Sequence, residues 1–286
     1  MSSTGRASCA GTTTRWRPAG APGLYTAGPR DGTPLVLVHG IRLSAWMWAP
    51  YADRLLPGFR ITACDLPGHG ALRAQPFTLE AAVRLIDAAV AEARDATGRP
   101  PWVAGCSLGG YAALAHSALC PGRAAGLLVN GATAQTTGTV GRVYRTADRV
   151  LKALGEQGAT RLNTRLLRLA LPSQMSEAVL RGGLAMPGFG QVVADLTRRD
   201  FVAMAGTLTT PVLFVNGVHD RLFRTGERQF VTAVRRAGTP VGLAHVPGRH
   251  LECLTRPDRF SQVLVRGHLE LSRLAGAHPA PGAPLP

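Results

Sequence analysis

The feature that most constrains the fold of this chain is an alternation of short apolar runs with longer segments of helical spacing. Strands are predicted at 35–38, 60–64, 102–106, 126–129, 211–216 and 241–246, and helices at 78–97, 108–119, 227–236 and 258–274. Short apolar runs bounded by turn residues are typical of strands that are buried on both faces. The chain is therefore predicted to be an α/β protein, with a parallel sheet covered by helices on both faces.

Residues 135–205 interrupt this alternation, because they contain no run of strand character. Their apolar residues instead recur at helical spacing, with basic residues on another side of the same helix, as in the set Val143, Ala147, Val150 and Leu154. We expect a helical insertion between two strands of the sheet. Such an insertion forms a cap above the carboxyl edge of the sheet.

The two ends of the chain differ in composition from its middle. The first 30 residues are rich in turn-forming residues, and the last ten residues contain four prolines. We expect a flexible N-terminus over 1–30 and a disordered tail over 276–286. The sheet-containing core is then formed by 31–134 and 206–275, with the helical cap at 135–205.

The net charge of +15 comes from 32 Lys and Arg residues against 17 Asp and Glu residues. Residues 1–134, 135–205 and 206–286 each carry a net +5, without a basic tail. Because aromatic residues make up only 6% of the chain, there is also no stacking platform for bases, and nucleic acid is not an expected partner. The excess of positive charge per residue is highest in 135–205. An acidic partner that docks at the cap is therefore an alternative to a solvated surface without a partner.

The sequence shows no stretch with the length and uniform apolarity of a signal peptide or a membrane span. Its five cysteines, at 9, 64, 106, 120 and 253, are scattered and include no C-x-x-C pair. Reduced thiols suit this pattern better than a disulfide framework does. We therefore expect a cytoplasmic protein that does not enter a membrane.

Ser107 lies at the centre of Gly105-Cys106-Ser107-Leu108-Gly109, a G-x-S-x-G motif between a predicted strand and a predicted helix. The serine would occupy a sharp turn that needs small neighbours, and the N-terminus of the helix would favour negative charge beside it. An ordinary glycine-rich turn is the plainer alternative. Cys106 is an alternative nucleophile, although its place inside the strand favours a packing role.

A serine hydroxyl needs a base to take its proton and a third group to orient that base. Asp220 and His250 each follow a predicted strand, and the carboxyl ends of parallel strands meet at one edge of a sheet. The chain order Ser107, Asp220, His250 is that of a nucleophile, acid and base on such a sheet. The alternative is that Asp220 and His250 only cap their loops.

The loop that begins at His39-Gly40-Ile41 follows the first predicted strand and is a candidate for the substrate side of the site. Acyl transfer needs N–H donors aimed at the developing oxyanion, and the amides of Ile41 and Leu108 are the candidates. Trp46 and Trp48 are candidates for lining a substrate pocket, with core packing as the equal alternative. Arg42 is a candidate for binding a substrate carboxylate, with a solvated arginine as the alternative.

These motifs resemble the α/β-hydrolase superfamily over about residues 32–273. Five patterns carry the resemblance in order: His39-Gly40, Asp65-Leu66-Pro67-Gly68-His69-Gly70, Gly105–Gly109, Gly217-Val218-His219-Asp220 and Gly248-Arg249-His250. The resemblance implies an eight-stranded, mostly parallel sheet with a helical cap inserted after the sixth strand. It also implies a Ser–His–Asp mechanism without a cofactor, and the sequence offers no residue spacing typical of a metal site.

Three functions follow from this resemblance. The first is a serine hydrolase that cleaves a carboxylic ester or related small acyl substrate through an acyl-enzyme intermediate on Ser107. The second is a thioesterase or acyl-transfer enzyme of a biosynthetic pathway, acting on acyl groups bound to an acidic carrier protein that docks at the cap. The third is a ligand-binding homologue without turnover, which the intact Ser107, His250 and Asp220 argue against.

Overall fold

The computed structural model of this protein describes residues 16–55, 58–185 and 188–276. At its centre is one eight-stranded sheet. The strands are β1 (Arg17–Pro18), β2 (Leu24–Ala27), β3 (Thr33–Val38), β4 (Phe59–Cys64), β5 (Trp102–Cys106), β6 (Gly126–Asn130), β7 (Val212–Gly217) and β8 (Val241–Val246). The six predicted strands correspond to β3 through β8.

The strands lie across the sheet in the order β1-β2-β4-β3-β5-β6-β7-β8. β2 pairs antiparallel with both β1 and β4, and every other pairing in the sheet is parallel. The predicted fold class, a mostly parallel eight-stranded sheet, is therefore confirmed. The carboxyl ends of β3, β5, β6, β7 and β8 lie along one edge of the sheet, where open α/β sheets carry their sites.

The first two strands correct the prediction of a flexible segment over residues 1–30. β1 and β2 lie within that segment and form the antiparallel margin of the sheet. Trp16 is buried, and its ring stacks on that of Tyr25 with 6.0 Å between the centroids. Strands of two and four residues are too short to show a clear alternation in the sequence. Residues 1–15 and 277–286, for which we expect flexible ends, lie outside the described residues.

Helices cover both faces of the sheet. They are α1 (Ala49–Leu55), α2 (Leu79–Thr97), α3 (Leu108–Leu119), α4 (Thr139–Ala170), α5 (Ser173–Gly182), α6 (Phe189–Leu196), α7 (Phe201–Ala205), α8 (Glu227–Arg236), α9 (Glu252–Thr255) and α10 (Pro257–Gly276). The apolar sides of α2, α3 and α8 pack on one face, and those of α1 and α10 pack on the other. None of the described helices has the length and apolar composition needed to cross a membrane.

Local signals set the bounds of α2, which packs beside α3. Thr78 caps its N-terminus, because the Thr78 hydroxyl oxygen accepts a hydrogen bond from the Ala81 amide at 3.1 Å. Gly98 ends the helix in the left-handed conformation, with φ 69°, and its amide donates to the Arg94 carbonyl. Between these caps, buried side chains such as Ile86 face the sheet.

The cap consists of α4 through α7, inserted between β6 and β7. Gly155 divides α4 into two halves, because its backbone (φ 67°, ψ 164°) is not helical. Apolar side chains of both halves are exposed, among them Val150 at 54% and Leu166 at 53%. The cap therefore leaves apolar surface uncovered, and the site described below opens toward part of it.

Gly109, in the first turn of α3, tests how closely this helix approaches the sheet. A methyl group on Gly109 would lie 2.3 Å from the carbonyl oxygen of Val38 and 2.6 Å from that of His39. We predict that Gly109→Ala lowers the free energy of unfolding by about 1–3 kcal/mol, because the backbone must shift to relieve this overlap. Urea unfolding followed by circular dichroism measures the change.

Gly158→Ala is the matched control for this measurement. The added methyl group would meet the Leu154 side chain at 3.7 Å, an ordinary contact inside a helix. We expect this variant to be as stable as the wild type or slightly more stable, since alanine favours the helix. A Gly109→Ala variant that unfolds at the same urea concentration as the wild type would contradict the close approach of α3.

Candidate active site

Ser107 lies on the turn between β5 and α3, at the carboxyl edge of the sheet. Its backbone has φ 54° and ψ −116°, a conformation that is rare for any residue except glycine. The Ser107 amide donates to the Asn130 carbonyl at 2.8 Å, which ties the turn to the end of β6. A methyl group on Gly105 would lie 2.1 Å from the Gly109 carbonyl oxygen, so this turn needs glycine two residues before the serine. These contacts hold the Ser107 side chain above the sheet.

The loops after β7 and β8 bring Asp220 and His250 to Ser107. His250 Nε2 is 3.0 Å from Ser107 Oγ, and His250 Nδ1 is 2.7 Å from Asp220 Oδ2. Asp220 has only 4% of its side chain exposed, and His250 has 22%. When the Asp220 carboxylate accepts the Nδ1–H bond, Nε2 is left free to accept the proton of Ser107. A hydroxyl, a base and an orienting acid are thus hydrogen-bonded in series.

Two residues that sequence reasoning missed shape the surroundings of His250. The ring of Phe223 stacks on the imidazole, with 3.9 Å between centroids and 17° between the ring planes. Gly131, just after β6, has φ 63°, and a methyl group there would come within 3.0 Å of the imidazole. A single phenylalanine three residues after Asp220 and a single glycine after a strand give no signal in the sequence, because both are common in loops.

Buried hydrogen bonds fix the loop that carries Asp220. Thr133 Oγ1 donates to the Phe223 carbonyl at 2.8 Å, and Asn216 Nδ2 donates to Thr133 Oγ1 at 2.8 Å. Asn216 lies in β7 and Thr133 follows β6, so two neighbouring strand ends hold the loop. The position of Asp220 is therefore set by the sheet.

The loop after β3, which contains Ile41, lies close to Ser107. A methyl group on Gly40 would lie 3.8 Å from Ser107 Cβ, so the backbone of this loop passes close to the serine. Within the described residues, the amides of Ile41 and Leu108 donate no hydrogen bond. An oxyanion hole needs N–H groups without a partner, and the oxyanion role of Ile41 and Leu108 stays a prediction.

A buried group of polar side chains supports this loop from below. His69 Nε2 accepts the Arg42 amide at 3.2 Å, and the Asp65 carboxylate accepts the Ala45 amide at 2.8 Å. The rings of His39 and His69 are buried with 5.0 Å between their centroids. Burial lowers the pKa of His39 to about 4 and that of His69 to about 3, so both rings are neutral at pH 7. A neutral His69 can accept the hydrogen bond of the Arg42 amide at its Nε2.

A cavity of about 720 Å³ opens beside Ser107, between the sheet edge and the cap. Ser107, His250 and Arg42 line it, together with mainly apolar side chains from the loop after β3, both halves of α4 and α6. A second cavity of about 30 Å³ also reaches Ser107. Tyr144, from the first half of α4, lines both cavities and so lies between them. Nothing in the sequence marks Tyr144, because the cap has no motif.

The predicted substrate-binding residues divide into two groups. Arg42 lines the larger cavity and is half-buried, so it is not a fully solvated surface arginine. Trp46 and Trp48 are not among the residues that line this cavity, so the structure favours the packing alternative for both. Trp46 packs against Arg181 in a separate cleft, with the guanidinium carbon 4.2 Å from the ring centroid. Trp48 is fully buried in the core, 5.1 Å from the ring of Tyr51, so packing decides its place.

Cys106 lies directly before Ser107 but is poorly suited to act as the nucleophile. Its side chain is buried, and Asn130 Nδ2 lies 3.6 Å from its sulfur. Burial raises the pKa of the Cys106 thiol well above its usual value, so the thiolate is not populated at neutral pH. The hydrogen bond to His250 is made by Ser107, and the geometry therefore favours the serine.

One group of described side chains has the atoms of a metal site. Ligand atoms of Asp87, His116 and Cys120 lie within 4.8 Å of one another. However, Arg123 already donates to both oxygens of Asp87, at 2.8 Å and 3.2 Å. Because the carboxylate is neutralised by this arginine, the group is an ion pair that joins α2 to the end of α3.

The sheet order, the turn at Ser107 and the three hydrogen-bonded side chains together define a class of protein. Residues 35–263 match the model of the alpha/beta hydrolase family. The chain belongs to this family. The recognition made from the motifs is confirmed, and so is the prediction that the chain is an enzyme of the hydrolase class.

Individual relatives are similar over most of the chain. The pimeloyl-[acyl-carrier protein] methyl ester esterase of Stenotrophomonas maltophilia (strain R551-3) is 29% identical over 267 residues, which cover 88% of this chain and 96% of the relative. The protein of the same name from Xanthomonas campestris pv. campestris (strain B100) is 31% identical over 254 residues, or 82% of this chain and 94% of the relative. Among solved structures, a carboxylesterase of Nitrososphaera gargenis has a TM-score of 0.69 at 17% identity, over 90% of this chain and 99% of that chain. At that identity the likeness shows the fold alone.

The two buried histidines under the loop after β3 predict a loss of stability in mild acid. In the unfolded chain each histidine takes up a proton below about pH 6.5. In the folded chain the pKa of His39 is lowered to about 4 and that of His69 to about 3. Protons therefore bind preferentially to the unfolded state as the pH falls from 6.5 toward these values, and the free energy of unfolding decreases over that range.

His69→Gln isolates the contribution of one of these rings. Glutamine offers an acceptor to the Arg42 amide but does not titrate. We expect urea unfolding at pH 7, 6 and 5 to show a shallower decrease for the variant, by up to about 1.4 kcal/mol per pH unit below 6.5. Burial raises the pKa of Asp65, which acts in the opposite direction, but Asp65 is common to both proteins. Parallel curves for the two proteins would contradict a neutral, buried His69.

Proposed function

We propose that this chain is a serine hydrolase that cleaves carboxylic esters in the cavity beside Ser107. The hydrogen-bonded series of Ser107, His250 and Asp220 carries this proposal, because it opens onto that cavity. The relatives are named as methyl ester esterases, which supports the same type of bond. A protein that only binds a ligand needs neither the base nor the orienting acid, so turnover is favoured over binding alone.

In the first half of the reaction, Ser107 Oγ attacks the carbonyl carbon of the ester. His250 Nε2 takes the hydroxyl proton, and the Asp220 carboxylate stabilises the imidazolium that forms. The amides of Ile41 and Leu108 donate hydrogen bonds to the oxyanion of the tetrahedral intermediate. His250 then gives its proton to the leaving alcohol, and the acyl group remains as an ester on Ser107.

In the second half, a water molecule attacks the acyl group on Ser107. His250 Nε2 takes a proton from the water and returns one to Ser107 Oγ as the carboxylic acid leaves. Both steps need the imidazole in the same orientation. The stacked ring of Phe223 supports that orientation, because it covers one face of the imidazole.

Variants of the three residues test this proposal with a small chromogenic ester such as p-nitrophenyl butyrate. We expect Ser107→Ala to lower kcat by about 10⁴-fold or more, and Asp220→Asn to lower it by about 10³–10⁴-fold, because the base is no longer oriented. A fluorophosphonate probe should label the wild type and Cys106→Ala, but not Ser107→Ala. Labelling of Ser107→Ala, or loss of labelling only in Cys106→Ala, would exclude the serine as nucleophile.

We extend the proposal to an acyl ester presented on an acidic carrier protein. The two relatives are named as acting on a pimeloyl group of an acyl-carrier protein, which supports a carrier for this chain. Six exposed arginines lie on the two halves of α4, and we term them together the basic cap face: Arg142, Arg145, Arg149, Arg161, Arg165 and Arg168. An acidic carrier is attracted to such a surface, and the cavity lies between the same two halves of α4.

We also propose that the enzyme acts in the cytoplasm. The described cysteines, Cys64, Cys106, Cys120 and Cys253, are free thiols. Free thiols, three of them buried, suit a reducing compartment.

Charge reversal on the basic cap face tests the carrier. With Arg142, Arg145 and Arg149 all changed to Glu, we expect kcat/KM for a carrier-bound acyl ester to fall about tenfold or more relative to kcat/KM for a small ester. The control changes the exposed Arg228, Arg235 and Arg236 of α8 to Glu, which alters the net charge equally. A ratio that is unchanged in the cap variant, or that falls equally in the control, would argue against docking at the cap.

A further inference from the structure

Arg42 is the one arginine among the described residues that line the larger cavity. Its backbone is held from two sides: its amide donates to His69 Nε2 at 3.2 Å, and its carbonyl accepts from the Ala185 amide at 3.1 Å. The residue adopts φ 65°, which is unusual for a residue with a side chain. A strained and doubly anchored backbone fixes the direction of the side chain.

The guanidinium of Arg42 is bound by neutral groups. Nη1 donates to Asn163 Oδ1 at 2.9 Å, and the guanidinium carbon lies 5.6 Å from the centroid of the Phe189 ring. Asn163 is itself held in place, because its Nδ2 donates to the Ala159 carbonyl at 2.7 Å. Arg42 is thereby positioned at the point where the loop after β3 meets both α4 and α6.

No carboxylate balances this charge within the described part of the chain. Arg42 forms no ion pair there, whereas other partly buried arginines do, such as Arg54 with Asp258 at 2.6 Å and Arg199 with Glu80 at 2.7 Å. The described residues that line the cavity include neither Asp nor Glu. A half-buried cation without a counter-ion is unfavourable unless a ligand supplies the negative charge.

We infer that Arg42 binds a carboxylate of the substrate, so that the preferred substrate is an ester whose acyl part also carries a free acid group. Ser107 and Arg42 line the same cavity, which is otherwise largely apolar. A half-ester of a dicarboxylic acid matches this arrangement: its ester group lies at Ser107, its methylene chain along the apolar wall and its carboxylate at Arg42. A guanidinium presents parallel N–H donors, which suit a planar carboxylate.

This inference rests on the proposed ester hydrolysis and not on its extension to a carrier, because the far end of a carrier-bound acyl group is bonded to the carrier and has no free acid. It adds a charge requirement that ester hydrolysis alone does not have. The first experiment uses the wild-type enzyme with the monomethyl and dimethyl esters of the diacids from succinate to suberate. At about pH 7.5 the free acid group of each monoester is ionised. At the chain length that spans the two residues, we expect kcat/KM for the monoester to exceed that for the diester by about tenfold or more, as a charge-assisted pair requires.

Variants at position 42 assign that preference to the arginine. We expect Arg42→Met to abolish the preference, which lowers the ratio of monoester to diester kcat/KM by about tenfold or more, and Arg42→Lys to keep part of it, since lysine retains the charge but not the paired donors. Arg181→Met is the matched control. Arg181 also lies over an aromatic ring, that of Trp46, but in a separate cleft, so both rates should stay at wild-type values.

The outcomes are distinguishable. Loss of the monoester preference in Arg42→Met, with Arg181→Met unchanged, supports the carboxylate site. A wild type without a monoester preference at any length, or an equal loss on both esters in Arg42→Met, would overturn it, since the arginine would then only join the loop to the cap. If Ser107→Ala hydrolyses both esters at the wild-type rate, the proposed function itself fails, whatever Arg42 does.

Discussion

The close approach of α3 to the ends of β3 and β5 is the constraint on which the rest of the site depends. A methyl group on Gly109 would overlap the carbonyl of Val38, and one on Gly105 would overlap the carbonyl of Gly109. Because both positions are glycine, the chain can turn sharply at Ser107 and enter the helix directly beneath it. The serine then stands above the sheet edge in a strained backbone conformation, with the N-terminus of α3 behind it.

The sheet brings the remaining groups to that point from distant parts of the chain. Ser107 and His250 are 143 residues apart, yet they are hydrogen-bonded because their strands end on the same edge. The loop after β3 carries two of the proposed functional groups. Within the described residues its Ile41 amide donates no hydrogen bond, while the next residue, Arg42, extends its side chain to Asn163 in the cap. A change in the position of the cap would therefore act on Arg42 and, through it, on the loop that carries the Ile41 amide.

Periodicity and motifs predicted much of this structure, for identifiable reasons. Strands that are buried on both faces, such as β5 and β7, give continuous apolar runs. Ser107 and Asp220 each follow an apolar run of this kind, and His250 follows the predicted strand at 241–246. β1 and β2 were missed because they are short and are stabilised by antiparallel pairing rather than by a sequence pattern. Trp46 and Trp48 could not be separated from pocket residues, because an aromatic side chain suits a core and a binding site equally. The positions of Tyr144 and Phe223 depend on how the cap and the loop that carries Asp220 fold over the sheet, and no local sequence pattern indicates this.

The nucleophile can be identified most directly by mass spectrometry of the acyl-enzyme. The wild type is mixed with excess p-nitrophenyl butyrate, quenched in acid within the first turnovers, digested and mapped by peptide fragmentation. We predict one butyryl group per chain, on Ser107. A His250→Ala variant should be acylated more slowly, but its butyryl adduct should persist longer than that of the wild type, because deacylation also needs the base. A butyryl group on Cys106 in place of Ser107, or turnover at the wild-type rate in Ser107→Ala, would contradict the serine mechanism.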